Sequence, residues 1–125
     1  MRKILVVDDE PEIIELVEAR LTANQFEVLS ATDGKKGIAI AEQKKPDLIL
    51  MDIMMPELSG GDAVKILKAK NETKDIPVIF LTGIYGKKMD GLESKGINVG
   101  GEYYPSIAKP FESDELISEI KALIG

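Results

Sequence analysis

Three apolar runs in this sequence end directly on polar residues able to do chemistry. Ile4-Leu5-Val6-Val7 runs into Asp8 and Asp9, Leu48-Ile49-Leu50-Met51 into Asp52, and Pro77-Val78-Ile79-Phe80-Leu81 into Thr82. Lys109 is expected to close a further strand that begins shortly before it. Three carboxylates brought together repel one another, so at least one should have a raised pKa unless something compensates. A divalent cation is the natural compensation. Mg2+ prefers six oxygens, takes one or two carboxylates, and keeps its other positions for water or phosphate oxygens. The cluster therefore suits a metal that also holds a phosphoryl group, and Mn2+ could substitute for Mg2+.

Composition narrows that chemistry. The chain has no histidine and no cysteine, which excludes imidazole bases, phosphohistidine carriers, disulfides and thiolate sites. Acid–base and metal chemistry must rest on carboxylates, lysines and hydroxyls, and such hard oxygens favour Mg2+, Mn2+ or Ca2+ over zinc. A net charge of -6 argues against a direct grip on nucleic acid, which needs a basic face. The lysine pairs (Lys35-Lys36, Lys44-Lys45, Lys87-Lys88) read as solvated helix ends and loops. The apolar stretches fall short of the about 20 residues that a membrane-spanning helix needs, and the short apolar run 4–7 does not read as a secretory signal. The lack of cysteine suits a reducing cytoplasm, the expected compartment.

The elements that must position these residues alternate between strand and helix. Unbroken apolar runs at 4–7, 48–51 and 77–81 read as strands buried on both faces. A further strand covers about 26–31, and the fifth lies just before Lys109. Pro11 stands at a first helical position behind Asp9 or Glu10, with Ile13, Ile14, Val17 and Leu21 at helical spacing and Asn24 as the stop. Thr32-Asp33-Gly34 leads into a small-residue helix around Ile38, Ala39 and Ala41. Another helix carries Ala63, Val64, Ile66 and Leu67. In the last helix Ser113 is the expected cap, Asp114 and Glu115 sit in the first turn, and Leu116, Ile117, Ile120, Leu123 and Ile124 form the stripe. Six of the eleven glycines fall between Gly83 and Gly101, so a helix over about 88–95 is expected to be short and weakly held.

Five such alternations imply one α/β domain over residues 1–125. Its core is a doubly wound, five-stranded parallel sheet with helices on both faces. The flavodoxin-like order 2-1-3-4-5 opens a crevice at the carboxyl ends of strands 1 and 3. Adjacent strands lie about 4.8 Å apart, which brings Asp52 to Asp8 and Asp9.

Asp8-Asp9-Glu10-Pro11, Asp52-Ile53-Met54-Met55-Pro56 with Gly60 after it, Leu81-Thr82-Gly83 and Lys109-Pro110-Phe111 together resemble the receiver domain of response regulators. The resemblance covers nearly the whole chain in the right order. It implies a phosphoprotein of a two-component signal-transduction system, not a turnover enzyme. Asp52 would accept a phosphoryl group from a histidine kinase or histidine phosphotransfer protein and later lose it in a self-catalysed step. By the same resemblance Asp9 and Asp52 ligate Mg2+, Asp8 does so directly or through water, and the Met54 carbonyl adds a ligand. Lys109 and Thr82 contact the phosphoryl oxygens, and the Lys109–Pro110 bond is cis. Movement of Thr82 would drag the segment 83–86 and change the surface after the fourth strand.

Two features depart from the family pattern. Ser106 stands where most receivers carry an aromatic switch residue, while Tyr103 and Tyr104 further upstream either replace it or pack. The connection from Thr82 to Lys109 is also a few residues longer than usual. Other readings stay open: a Mg2+-dependent aspartyl phosphohydrolase, a flavin- or nucleotide-binding module, or a receiver-like interaction module that is never phosphorylated. Asp8-Asp9 could also serve merely to cap the helix at Pro11, but capping accounts for one aspartate and not for two together with Asp52. The chain is either a stand-alone receiver or a piece of a longer protein.

Overall fold

The first strand, β1 (Lys3–Val7), is apolar at four successive positions because both its faces are covered. This computed structural model describes residues 1–83, 97–109 and 112–125. Helix α1 (Pro11–Ala23) follows, with Pro11 in its first turn, Glu10 at the cap position and Asn24 at its end. Then come β2 (Glu27–Ala31), α2 (Gly34–Lys44), β3 (Leu48–Asp52), α3 (Gly60–Lys68) and β4 (Val78–Gly83). Asp33 caps α2 by accepting from the Lys36 amide at 2.8 Å, and Ser59 caps α3 through the Asp62 amide at 3.2 Å.

Beyond β4 the chain holds an element the sequence reading lacked. Strands β5 (Ile97–Val99) and β6 (Glu102–Tyr104) pair antiparallel, joined by Gly100 and Gly101 at φ +60° and +93°. A two-residue hairpin turn of type I′ needs positive φ at both positions, which glycine supplies without steric cost. Strand β7 (Ser106–Lys109) and helix α4 (Ser113–Ile124) complete the described chain. Pro110, Phe111 and residues 84–96 lie outside the described residues. The expected cis bond at Pro110 and the expected helix at about 88–95 therefore lie outside them too.

Five parallel strands form one sheet in the order β2-β1-β3-β4-β7. This is the expected doubly wound order, with β7 as its fifth member because the hairpin intervenes. Alternate side chains sort into two cores. Ile4, Val6, Leu48, Leu50, Ile79, Leu81 and Ile107 pack with α1 and α4, while Leu5, Val7, Ile49, Met51, Val78 and Phe80 pack with α2 and α3. On α4 two expectations shift. Glu112 occupies the cap position and Ser113 is already helical. Leu116, Ile117 and Ile120 are buried, but Leu123 is 45 % exposed. Leu123 shares its angle on the helix with Leu116, seven residues earlier, so its exposure reflects its place in the final turn.

Candidate functional site

Strand alternation decides which residues meet at the carboxyl edge of the sheet. Successive side chains on a strand point to opposite faces, so Asp8 continues the Ile4–Val6 set and Asp52 the Leu48–Leu50 set. Lys109 continues from Ile107, and Gly83 from Leu81. All four fall on the α1/α4 side of the sheet. Thr82 belongs to the opposite set with Val78 and Phe80, and lies buried under the rim beside Ala108 of β7.

Asp8 is fully buried and Asp52 is 4 % exposed. The Lys109 ammonium lies among three carboxylates, 3.1 Å from Asp8 Oδ2, 3.4 Å from Asp52 Oδ1 and 3.5 Å from Glu10 Oε1. The other Asp8 oxygen accepts from the Glu10 amide at 2.9 Å, which turns the chain out of β1 and into α1. Asp9, Glu10, Asp52, Met54, Gly83 and Lys109 line an open cleft of about 250 Å³. Asp8, Asp9, Asp52, Met54 and Lys109 are thus brought together as the sequence reading expected, with Thr82 one residue behind Gly83.

The electrostatics follow from burial. Loss of solvent and the nearby Asp8 charge push the Asp52 carboxyl up to about 6, and Lys109 offsets this only in part. Burial likewise raises Asp8, against the Glu10 amide and Lys109, which lower it. Burial also works against the Lys109 ammonium. The hydrogen bond to Asp8 and the charges of Asp52 and Asp8 outweigh it and hold the Lys109 pKa above the ordinary value. One lysine against four acids leaves surplus negative charge. Ligand oxygens of Asp8, Asp9 and Glu10 lie within 4.8 Å of one another. With no sulfur or imidazole available, this donor set fits a hard divalent cation such as Mg2+.

The loop after Asp52 is tightly built. The Gly60 amide donates to Ile53 O at 2.9 Å, and a Cβ at Gly60 would stand 2.1 Å from the Asp52 carbonyl oxygen. The start of α3 is therefore pressed against the backbone of Asp52 itself. Between them Leu58 donates to Pro56 O at 2.8 Å across Glu57, whose φ is +72°. That is a tight turn in a conformation disfavoured for a residue with a Cβ.

Glu10 is the site residue that sequence reasoning undervalued. Its place before Pro11 reads as a helix cap, yet its side chain makes no cap bond and reaches Lys109 instead. Of the two tyrosines, Tyr104 packs in the α2/α3-side core, edge-on to Phe80 at 5.8 Å and with the Lys68 ammonium 5.7 Å from its ring centre. Tyr103 is 52 % exposed on the hairpin. Ser106 lies on β7 beside Phe80.

Comparison with known proteins agrees with this fold. A family profile described as "Response regulator receiver domain" matches residues 4–121. The chain is 37 % identical over 124 residues to the DNA-binding dual master transcriptional regulator RpaA of Synechocystis sp., covering 99 % of this chain and 49 % of the relative. It is 37 % identical over 123 residues to the phosphate regulon transcriptional regulatory protein PhoB of Pseudomonas aeruginosa, covering 98 % and 52 %. The chain thus spans about half the length of these relatives. Among solved structures, chemotaxis protein CheY4 of Vibrio cholerae superposes with a TM-score of 0.84 at 28 % identity, covering 98 % of both chains. The receiver domain of a sensor histidine kinase of P. aeruginosa, with a magnesium ion coordinated in its active site cleft, gives 0.82 at 29 % identity, covering 99 % and 98 %.

Proposed function

The chain belongs to the response regulator receiver family, and from that premise we propose that Asp52 takes a phosphoryl group from a histidine kinase or histidine phosphotransfer protein. The observation that carries the reading is the position of the Lys109 ammonium between the buried carboxylates of Asp8 and Asp52, at the open edge of the sheet. In the transfer, an Asp52 carboxylate oxygen forms a bond to phosphorus. The phosphorus–nitrogen bond of the donor breaks, and its electron pair leaves with the imidazole. The transition state is loose, with charge spread over the equatorial oxygens, so positioning and electrostatics carry the catalysis.

Lys109 pairs with one phosphoryl oxygen, and Thr82 donates its hydroxyl to another once it has moved up from under the rim. Asp9 and Asp52, with Asp8 directly or through water and with the Met54 carbonyl, would hold Mg2+ (or Mn2+), which would offset charge on the phosphoryl oxygens. Return to the resting state is hydrolysis of the acyl phosphate at the same site. We read residues 1–125 as one receiver unit acting in the cytoplasm, signalling through the surface that follows β4. The net charge of -6 supports a protein target for that surface rather than nucleic acid.

The test is incubation with Mg2+ and acetyl phosphate, followed by intact mass. Wild type is expected to gain one phosphoryl group that decays after donor removal, and Asp52→Asn to gain none. Failure of wild type to label, equal labelling of Asp52→Asn, or sustained turnover of simple phosphoesters would each overturn the reading.

A further inference from the structure

Lys109 has three ammonium hydrogens and three carboxylate neighbours, Asp8, Asp52 and Glu10. To meet a phosphoryl oxygen it must release one of them. Asp8 is the costly one, since its side chain is fully buried and would be left as an unpaired interior charge. Asp52 is the reacting group. Glu10 has a side chain 56 % exposed, so water can take over its hydrogen bond on release. It also stands on the cleft wall with Asp9 and Met54. Its backbone is already fixed, because its amide donates to Asp8 and its carbonyl accepts from Ile13 and Ile14 in the first turn of α1. The side chain is therefore free to swing without disturbing the helix start.

We infer that Glu10 is a positioning residue that parks the Lys109 ammonium at the cleft mouth and must release it before a phosphoryl group can be loaded. The inference rests on the proposed phosphoryl transfer to Asp52 and adds a brake to it. In the resting protein Glu10 competes with the incoming phosphoryl oxygens for the same cation. With acetyl phosphate as donor, the Asp52 oxygen bonds to phosphorus as the bond to the acetate oxygen breaks, and acetate leaves with the electron pair. Lys109 is needed at the phosphoryl oxygens during that step, so any hold on it slows loading.

The experiment measures labelling rates by acetyl phosphate at saturating Mg2+ for wild type, Glu10→Gln and Glu10→Asp. One exposed ion pair supports an acceleration of about two- to fivefold in Glu10→Gln. Added salt is expected to speed wild type and narrow the gap, because the pair is screened. Glu10→Asp keeps the charge at the mouth but is one methylene too short to reach Lys109. It should be as fast as Glu10→Gln; if it stays as slow as wild type, repulsion of the donor and not the latch is responsible, and the inference falls. In metal-free protein the Lys109 ammonium hydrogens should exchange with water faster in Glu10→Gln, while the melting temperature stays near that of wild type. Equal labelling rates in all three proteins would defeat this inference alone, whereas a wild type that never labels would defeat the proposed function beneath it.

Discussion

Asp52 carries its proton more tightly in the folded chain than in the unfolded one. Its carboxyl is raised from an ordinary 3.8 to about 6 by burial and the charge of Asp8. Ionising it therefore costs stability as pH rises through that interval, and the cost is complete above it. An asparagine of the same shape cannot ionise. In metal-free buffer Asp52→Asn should be more stable than wild type at about pH 8, by roughly 1–2 kcal/mol. The gain should vanish below about pH 3, where the wild-type carboxyl is largely protonated in both states. Urea titrations at the two pH values check this, and an unchanged difference across them would refute the electrostatic account. Lys109 is the counterweight. Its own pKa is raised, so it stays charged throughout this range.

At the scale of elements, the contact between α3 and β3 is the most demanding in the site. A methyl group at Gly60 would meet the Asp52 carbonyl oxygen at 2.1 Å and the Ile53 Cα at 3.0 Å, both backbone atoms with no rotamer to yield. Gly60→Ala should cost about 2–3 kcal/mol, in the range of overpacked cores. It should slow Asp52 labelling as well, because the loop can make room only by shifting the phosphoacceptor. Denaturant melts and labelling rates read the two effects separately.

The same elements explain what could be read beforehand. β1, β3 and β4 were legible because burial on both faces leaves unbroken apolar runs, and each run ends on the residue that matters. The parity that places Asp8, Asp52 and Lys109 together is a property of those runs. The β5–β6 hairpin was not legible. Its strands are three residues each, too short for alternation to register, and its two-glycine turn sits in a glycine-rich stretch that read as a break. Glu10 is not legible in the sequence because an acid beside a helix start is usually a cap, and only the approach of β7 from about a hundred residues away gives it a cation to hold. Ser113 misled for a similar local reason, since serine, aspartate and glutamate all suit a helix start and cannot fix its first residue.

Across the whole molecule, two cores grip the sheet from either side while surplus acid is concentrated at one edge. A cation that binds there binds the folded chain and not the unfolded one, so it must stabilise the fold. At ten times its dissociation constant the gain is about 1.4 kcal/mol, which for a domain of this size raises the melting temperature by about 5 °C. Thermal melts at pH 8 in MgCl2 against NaCl of equal ionic strength should show this rise. Asp9→Asn should abolish most of it. A rise equal in both salts would mean general screening of a net charge of -6 and no specific site.

The alternation of side chains along the strands has a consequence for how this protein can vary. The oily residues that hold each ribbon in place and the groups that do its chemistry are neighbours in one reading frame of two. Adding or removing a single residue within β1, β3 or β7 would switch every later side chain of that ribbon from one core to the other. Side chains fitted to one core would be forced into the other, and the reacting group would turn to the face away from its partners, so packing and reactivity would be lost in the same step. Length changes that spare the chemistry can enter only in the connections between ribbons, such as the long passage from β4 to β7 where the hairpin stands.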